Sequence, residues 1–81
     1  MRFANLSVNR AIRVFKEEFH FNQEEKRNGN IILFRKDAEG TLLATVALPT
    51  AHRNLGEATL KLALRGAGIS QEDFQKALSR H

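Results

Sequence analysis

The sequence predicts a single two-layer α+β domain, with one antiparallel sheet covered on one face by helices. Three observations carry this prediction. Apolar residues recur with helical spacing near the N-terminus, two tight-turn signals divide β-rich runs in the middle, and two capped helix-like segments follow the chain's single proline. A length of 81 residues allows one small domain and excludes two.

The first helix is predicted from about Val8 to Phe19. Val8, Ile12, Phe15 and Phe19 recur at i, i+4, i+7 and i+11 on one face, and Ser7 is placed to cap the start. Phe21 to Lys26 reads as a short strand whose Glu24 and Glu25 suit a sheet edge. Asn28-Gly29-Asn30 is the strongest turn signal, because Asn and Gly tolerate positive φ. Ile31 to Arg35 then forms a second strand, and Asp37-Ala38-Glu39-Gly40 a second hairpin loop. Thr41 to Leu48 forms the third strand, which Pro49 ends because it cannot donate to a ladder. Asn54 with Glu57 three residues later reads as a capping box for a second helix carrying Leu60, Ala63, Leu64 and Ala67. Gly68 stops it as a left-handed C-terminal glycine. Ser70 caps a short last helix with early acids at Glu72 and Asp73 and a stripe of Phe74 and Leu78.

Composition bounds the function. Apolar residues make up 42% of the chain and charged residues 27%, which is globular rather than disordered. With no cysteine, neither disulfides nor zinc–thiolate sites are available. A domain this short buries only roughly 60% of its unfolded surface, so its margin of stability is thin. No apolar run approaches the roughly 18 residues of a membrane span, and the N-terminal residues lack the pattern of a signal peptide. The expected location is the cytoplasm. Thirteen Lys and Arg against nine Asp and Glu give a net charge of +4.

Strand periodicity also predicts a surface. Ile31 and Leu33 alternate with Ile32 and Phe34, while Leu43 alternates with Leu42 and Ala44. Both sides of the sheet are thus partly apolar, and the helices cover only one. Ile31, Leu33 and Leu43 are the expected open face, a contact surface for a protein partner or a second copy unless a loop or the last helix covers it.

Conventional catalytic signatures are lacking. The three histidines, at positions 20, 52 and 81, are too scattered for a metal pair, and the sequence calls for neither metal nor cofactor. His20, at the end of the first helix, reads as a helix-terminal cation. His52, beside Arg53 on a loop, is the one weak catalytic candidate. The paired acids Glu17-Glu18 and Glu24-Glu25 are neighbours in sequence and do not converge on one substrate. The basic residues Arg10, Arg13, Arg27, Arg35, Lys36, Arg53, Lys61 and Arg65 fall on or near elements expected to lie close together, and where several converge they would bind nucleic-acid phosphates by counterion release.

From about Ser7 onward the pattern resembles the HicA-type toxins. Thr59-Leu60-Lys61, Leu64-Arg65 and Ala67-Gly68-Ile69 resemble that family's G-T-L-(R/K)-x-I-L-(R/K)-x-A-G-(I/L) helix, with Ala58 in place of the usual Gly. Val46-Ala47-Leu48-Pro49 resembles its strand ending V-x-V-P, and Pro49 to Leu55, with His52, the loop that follows. Asp37-Ala38-Glu39-Gly40 resembles its H-P-D-G hairpin, and Gly29 to Arg35 falls where it has G-S-H-H-x-F-R.

The resemblance implies a double-stranded-RNA-binding-like fold, helix–three strands–helix with a short C-terminal helix. It further implies RNA as ligand, with Arg27, Arg35, Arg53 and Lys61 as the expected contacts to its phosphates rather than its bases, and a HicB-like antitoxin as partner. The family's catalytic histidine matches Ile31 here, with Asn30 in place of the Ser and Ile32 in place of the next His. Isoleucine transfers no proton. Either His52 has taken over an mRNA-cleaving role, or the chain binds without cleaving; the second is the expectation.

Overall fold

The computed structural model describes residues 6–50 and 54–80. Six elements follow in order: α1 (Val8–Glu18), β1 (Gln23–Arg27), β2 (Asn30–Lys36), β3 (Leu42–Pro49), α2 (Glu57–Ala67) and α3 (Gln71–Ser79). The strands form one antiparallel sheet in the order β1-β2-β3. This is the α+β architecture that the sequence predicts.

Local chemistry accounts for most boundaries. Ser7 caps α1, its Oγ accepting from the Arg10 N–H at 3.1 Å. The helix ends at Phe19, and exposed His20 turns the chain with φ 62°, so that the Phe21 N–H donates back to the Phe15 carbonyl at 3.2 Å. The β1–β2 loop is only Asn28 and Gly29, at φ 46° and 80°. Both values are positive, as a two-residue hairpin twisted like its strands requires. In the second hairpin Asp37 Oδ1 accepts from the Glu39 and Thr41 N–H groups, each at 2.9 Å. Gly68, at φ 71°, closes α2, and Ser70 Oγ caps α3 by accepting from the Asp73 N–H at 3.0 Å.

Two boundaries differ from the sequence reading. Asn54 does not cap α2; it forms an isolated bridge with Ser7, and Gly56 takes the cap position without a side-chain bond. Phe21 precedes β1 and is buried against Phe15, with ring centroids 5.5 Å apart. Asn22 then ties the start of β1 to the end of β2, exchanging side-chain hydrogen bonds with the Lys36 backbone at 3.1 and 3.3 Å.

The core lies between the sheet and the helices. Val14 and Phe15 of α1, Leu60 and Leu64 of α2, and Phe74 and Ala77 of α3 are buried over Leu33, Val46 and Leu48. Phe15 is its centre, 5.1 Å from Phe74 by ring centroids, and Phe74 stacks on Phe19 at 6.1 Å.

Side assignment on β2 is the main correction. Ile31 pairs with Leu48, Leu33 with Val46 and Arg35 with Ala44, and these side chains face the helices. Leu33 is 0% exposed and Ile31 8%, so neither lies on an open face. Leu43, at 53%, does. The uncovered side carries Ile32 and Phe34, half-buried, beside Thr45 and Ala47. A bulge opposite Arg35 and Lys36 leaves Leu43 as the extra residue, next to Leu42 at 51% exposure.

Candidate nucleic-acid interface

The four cations expected to contact RNA do not form one cluster. Arg27 pairs with Asn30 at one end of the sheet, and Arg35 sits five residues along β2. At about 3.3 Å per residue their strand positions are roughly 17 Å apart. Arg27 Nε is engaged by Glu25 Oε1 at 2.7 Å on the uncovered side. Arg35 is half-buried on the helix side, its Nε enclosed and lacking a hydrogen-bond partner among the described residues. Lys61 lies on α2, paired with Glu57 at 3.2 Å, and lines a different groove between α2 and α3 with Arg65 and Ser70. Arg53 lies outside the described residues, and so does His52.

One end of the sheet does gather polar groups. Asn9, Lys26, Arg27, Asn28, Asn30, Ile31 and Thr50 surround a cleft of about 420 Å³. Two-residue turn geometry brings Lys26 and Asn30 together, and the register sets Lys26 opposite Ile31 on the helix side. Asn9 comes from the exposed face of α1. Thr50 is held by two bonds to Gly29, its N–H at 2.8 Å and its hydroxyl at 2.6 Å from the carbonyl oxygen. Further along, Asn54 bridges Ser7 and the Leu55 N–H donates to the Leu6 carbonyl at 2.8 Å. Both sets of contacts adjoin the cleft's walls, at the β1–β2 turn and the start of α1.

Charge at this end is unevenly compensated. Asn9, Arg13 and Lys16 share one stripe of α1, being three and four residues apart. Lys16 is engaged by Glu24 of β1, which fixes that stripe over the edge strand. The hydrogen bond from Lys16, then its charge, holds the Glu24 carboxyl below its ordinary range. Arg13 and Lys26 make no ion pair among the described residues, in contrast to Arg27, Lys61, Lys76 and Arg80. Sequence reasoning selected Arg27 here, named Arg13 only among the basic residues expected to lie close together, and passed over Lys26. The i, i+4 spacing of Asn9 and Arg13 was the available signal; their approach to β1 depends on tertiary packing.

Two cations, Lys26 and Arg27, beside the four side chains of Asn9, Asn28, Asn30 and Thr50 suit a phosphate-bearing ligand held by charge and by amide and hydroxyl hydrogen bonds. Ile31 also lines this cleft. Among the described residues, the cleft is lined by neither a carboxylate nor an imidazole. Among the described residues no group of three or more His, Cys, Asp or Glu is placed to hold a metal ion, and no helix is long and apolar enough to cross a membrane. No protein-family model matches the chain, and no curated protein matches it.

Proposed function

We propose that the chain is a HicA-like, toxin-derived domain that binds structured RNA through phosphates and does not cleave it. The observation that carries this reading is the cleft at the β1–β2 turn, where Lys26 stands among Asn9, Asn28, Asn30 and Thr50 with Ile31 at the wall. Phosphate contacts of this kind give affinity without sequence readout. Ile31, which the resemblance sets at the position of the family's catalytic histidine, supplies no proton, and the described residues of the lining offer no general base in its place. A double-stranded-RNA-binding-like assignment accords with the order helix, three antiparallel strands, helix.

The test is incubation with labelled structured RNA at low and high salt, read on native and denaturing gels. The expected result is a salt-sensitive shift with intact RNA, weakened in Lys26→Ala. Cleavage that disappears in His52→Ala would make the chain an mRNA interferase and overturn the non-cleaving reading. Absence of any shift at low salt would remove RNA as ligand.

A second reading has its own support. Leu42 and Leu43 are exposed beside half-buried Ile32 and Phe34, which suits docking of a HicB-like antitoxin on the uncovered face. Co-purification with an antitoxin, abolished by Leu43→Lys, would favour it.

A further inference from the structure

We infer that β3 is the seam of a homodimer, in which the outer edges of two copies pair antiparallel to form one six-stranded sheet. The inference stands apart from the RNA reading and uses a different part of the molecule. Its starting point is the hydrogen-bond phase of the sheet. The Thr50 N–H donates to the Gly29 carbonyl, so Gly29 and Thr50 are a hydrogen-bonded pair. Alternation along an antiparallel ladder then makes Ile31/Leu48, Leu33/Val46 and Arg35/Ala44 the bonded pairs. The N–H and C=O groups of Thr45 and Ala47 therefore point away from β2, out of the sheet. Pro49 has the same phase, and its missing donor falls on the outer side where the ladder loses nothing.

The two edges of the sheet are treated very differently. β1 reads Gln-Glu-Glu-Lys-Arg, the kind of charged edge that resists pairing with another chain. β3 lies within Thr41–Thr50, ten residues without a charge, and is eight residues long. An uncharged edge disfavours a charged peptide and admits an equally uncharged strand, and the described strand with that property is β3 itself. Two copies of a +4 chain meet here without bringing like charges together.

The geometry closes on itself. A two-fold axis normal to the sheet, midway between the two β3 strands and level with Val46, sets Thr45 opposite Ala47 of the second copy and Ala47 opposite its Thr45. Each such pair exchanges two hydrogen bonds. The axis keeps both sets of helices on one side. Along this edge β3 and α2 bound a groove of about 390 Å³, formed by Thr45, Val46, Ala47, Thr59, Leu62, Ala63 and Gly66. The small residues leave the edge accessible. Leu62, 69% exposed, is the most exposed large apolar side chain among the described residues and would be carried toward the seam in each copy.

The test is the solution mass of the full chain by light scattering over a range of concentrations, with hydrogen exchange resolved by residue. The expected result is a species of twice 9.2 kDa whose Thr45 and Ala47 amides become protected as it forms. Ala47→Pro removes an outward donor, and Ala47→Lys adds a charge at the seam; each should return the mass to that of one chain with unchanged circular dichroism. Because the proline variant is exposed to misfolding, the lysine variant is the deciding one. A single-chain mass at every concentration overturns the inference. A dimer indifferent to Ala47→Lys but dissolved by Ile32→Lys, on the uncovered face of the central strand, also overturns it, moving the contact to that face.

Discussion

Thr50 bonds the Gly29 carbonyl twice, through its N–H at 2.8 Å and its hydroxyl at 2.6 Å. This double contact joins the end of β3 to the turn between β1 and β2, and it fixes one wall of the polar cleft. It also sets the phase of the whole β2–β3 ladder, and with it which residues face the helices.

Thr50→Val should therefore keep the fold and loosen the cleft. The backbone bond survives and the exposed hydroxyl bond is lost, at a cost of about 0.5–1 kcal/mol. Urea unfolding should show a small fall in midpoint, and the Lys26 and Asn30 amides should exchange faster. A loss several times larger would mean that the hydroxyl supports more than this turn.

Leu33 and Leu43 separate the two possible side assignments of β2. Leu33 is fully buried, so Leu33→Ala should cost about 2–5 kcal/mol. That is a large part of the ~4–12 kcal/mol available to a domain of this size at ~0.05–0.15 kcal/mol per residue. Leu43→Ala should stay within about 0.5 kcal/mol. Leu33→Lys should unfold the chain rather than merely dissolve an assembly. Equal effects at both positions would reverse the assignment.

The same pair shows what was legible in the sequence and what was not. Hairpin turns and helix caps are local, so Asn28-Gly29, Ser7, Gly68 and Ser70 could each be read from a few residues. The run Ile31-Ile32-Leu33-Phe34 is apolar at every position, and a period of two cannot choose a side for it. β3 shows a clear alternation, yet the bulge opposite Arg35 and Lys36 shifts the count between the strands, so its phase could not be carried across the hairpin. Asn54 met the capping pattern, but tertiary pairing with Ser7 claimed it. The site suffered in the same way. Arg27 and Arg35 are both basic strand residues, and only the register reveals that they stand at opposite ends. Asn9 and Thr50 are far apart in sequence, and packing alone makes them neighbours.

Two glycines should respond in opposite directions to alanine. Gly29 has φ 80°, where an L side chain is strained, and a Cβ there would meet nothing within 4 Å. Gly29→Ala should cost about 1 kcal/mol through the backbone alone. Gly66 lies inside α2 and is equally open to a Cβ. Gly66→Ala should stabilise by about 0.5–1 kcal/mol through helix propensity. Thermal unfolding of the two variants checks both signs at once.

The Lys16–Glu24 pair gives a pH dependence with a defined sign. Lys16 lowers the Glu24 pKa in the folded chain, so the contribution is present above the unfolded glutamate value, near 4.3, and is lost as pH falls through the folded one. Lys16→Met should raise the Glu24 pKa toward its ordinary value, read from the carboxyl chemical shift. Glu24 is solvent-exposed in electrostatic terms, so the accompanying change in stability should be slight and should vanish at high salt. An unmoved Glu24 titration would mean that the pair does not form in solution.

Salt dependence of RNA affinity discriminates among the cations. Each phosphate contact removed should lower the slope of log K against log salt by about 0.7–0.9. Lys26→Ala and Arg13→Ala should each produce such a decrease, because neither cation makes an ion pair among the described residues, Lys26 lines the cleft, and Arg13 lies one turn of α1 from Asn9 of its lining. Arg35→Ala should leave the slope unchanged, its guanidinium being half-buried on the helix side with an enclosed Nε. Lys61→Ala should also leave it unchanged, since Lys61 is paired with Glu57 and faces the α2–α3 groove. The opposite pattern, a decrease at Lys61 and none at Lys26, would move the RNA surface to α2 and leave the β1–β2 cleft without a ligand.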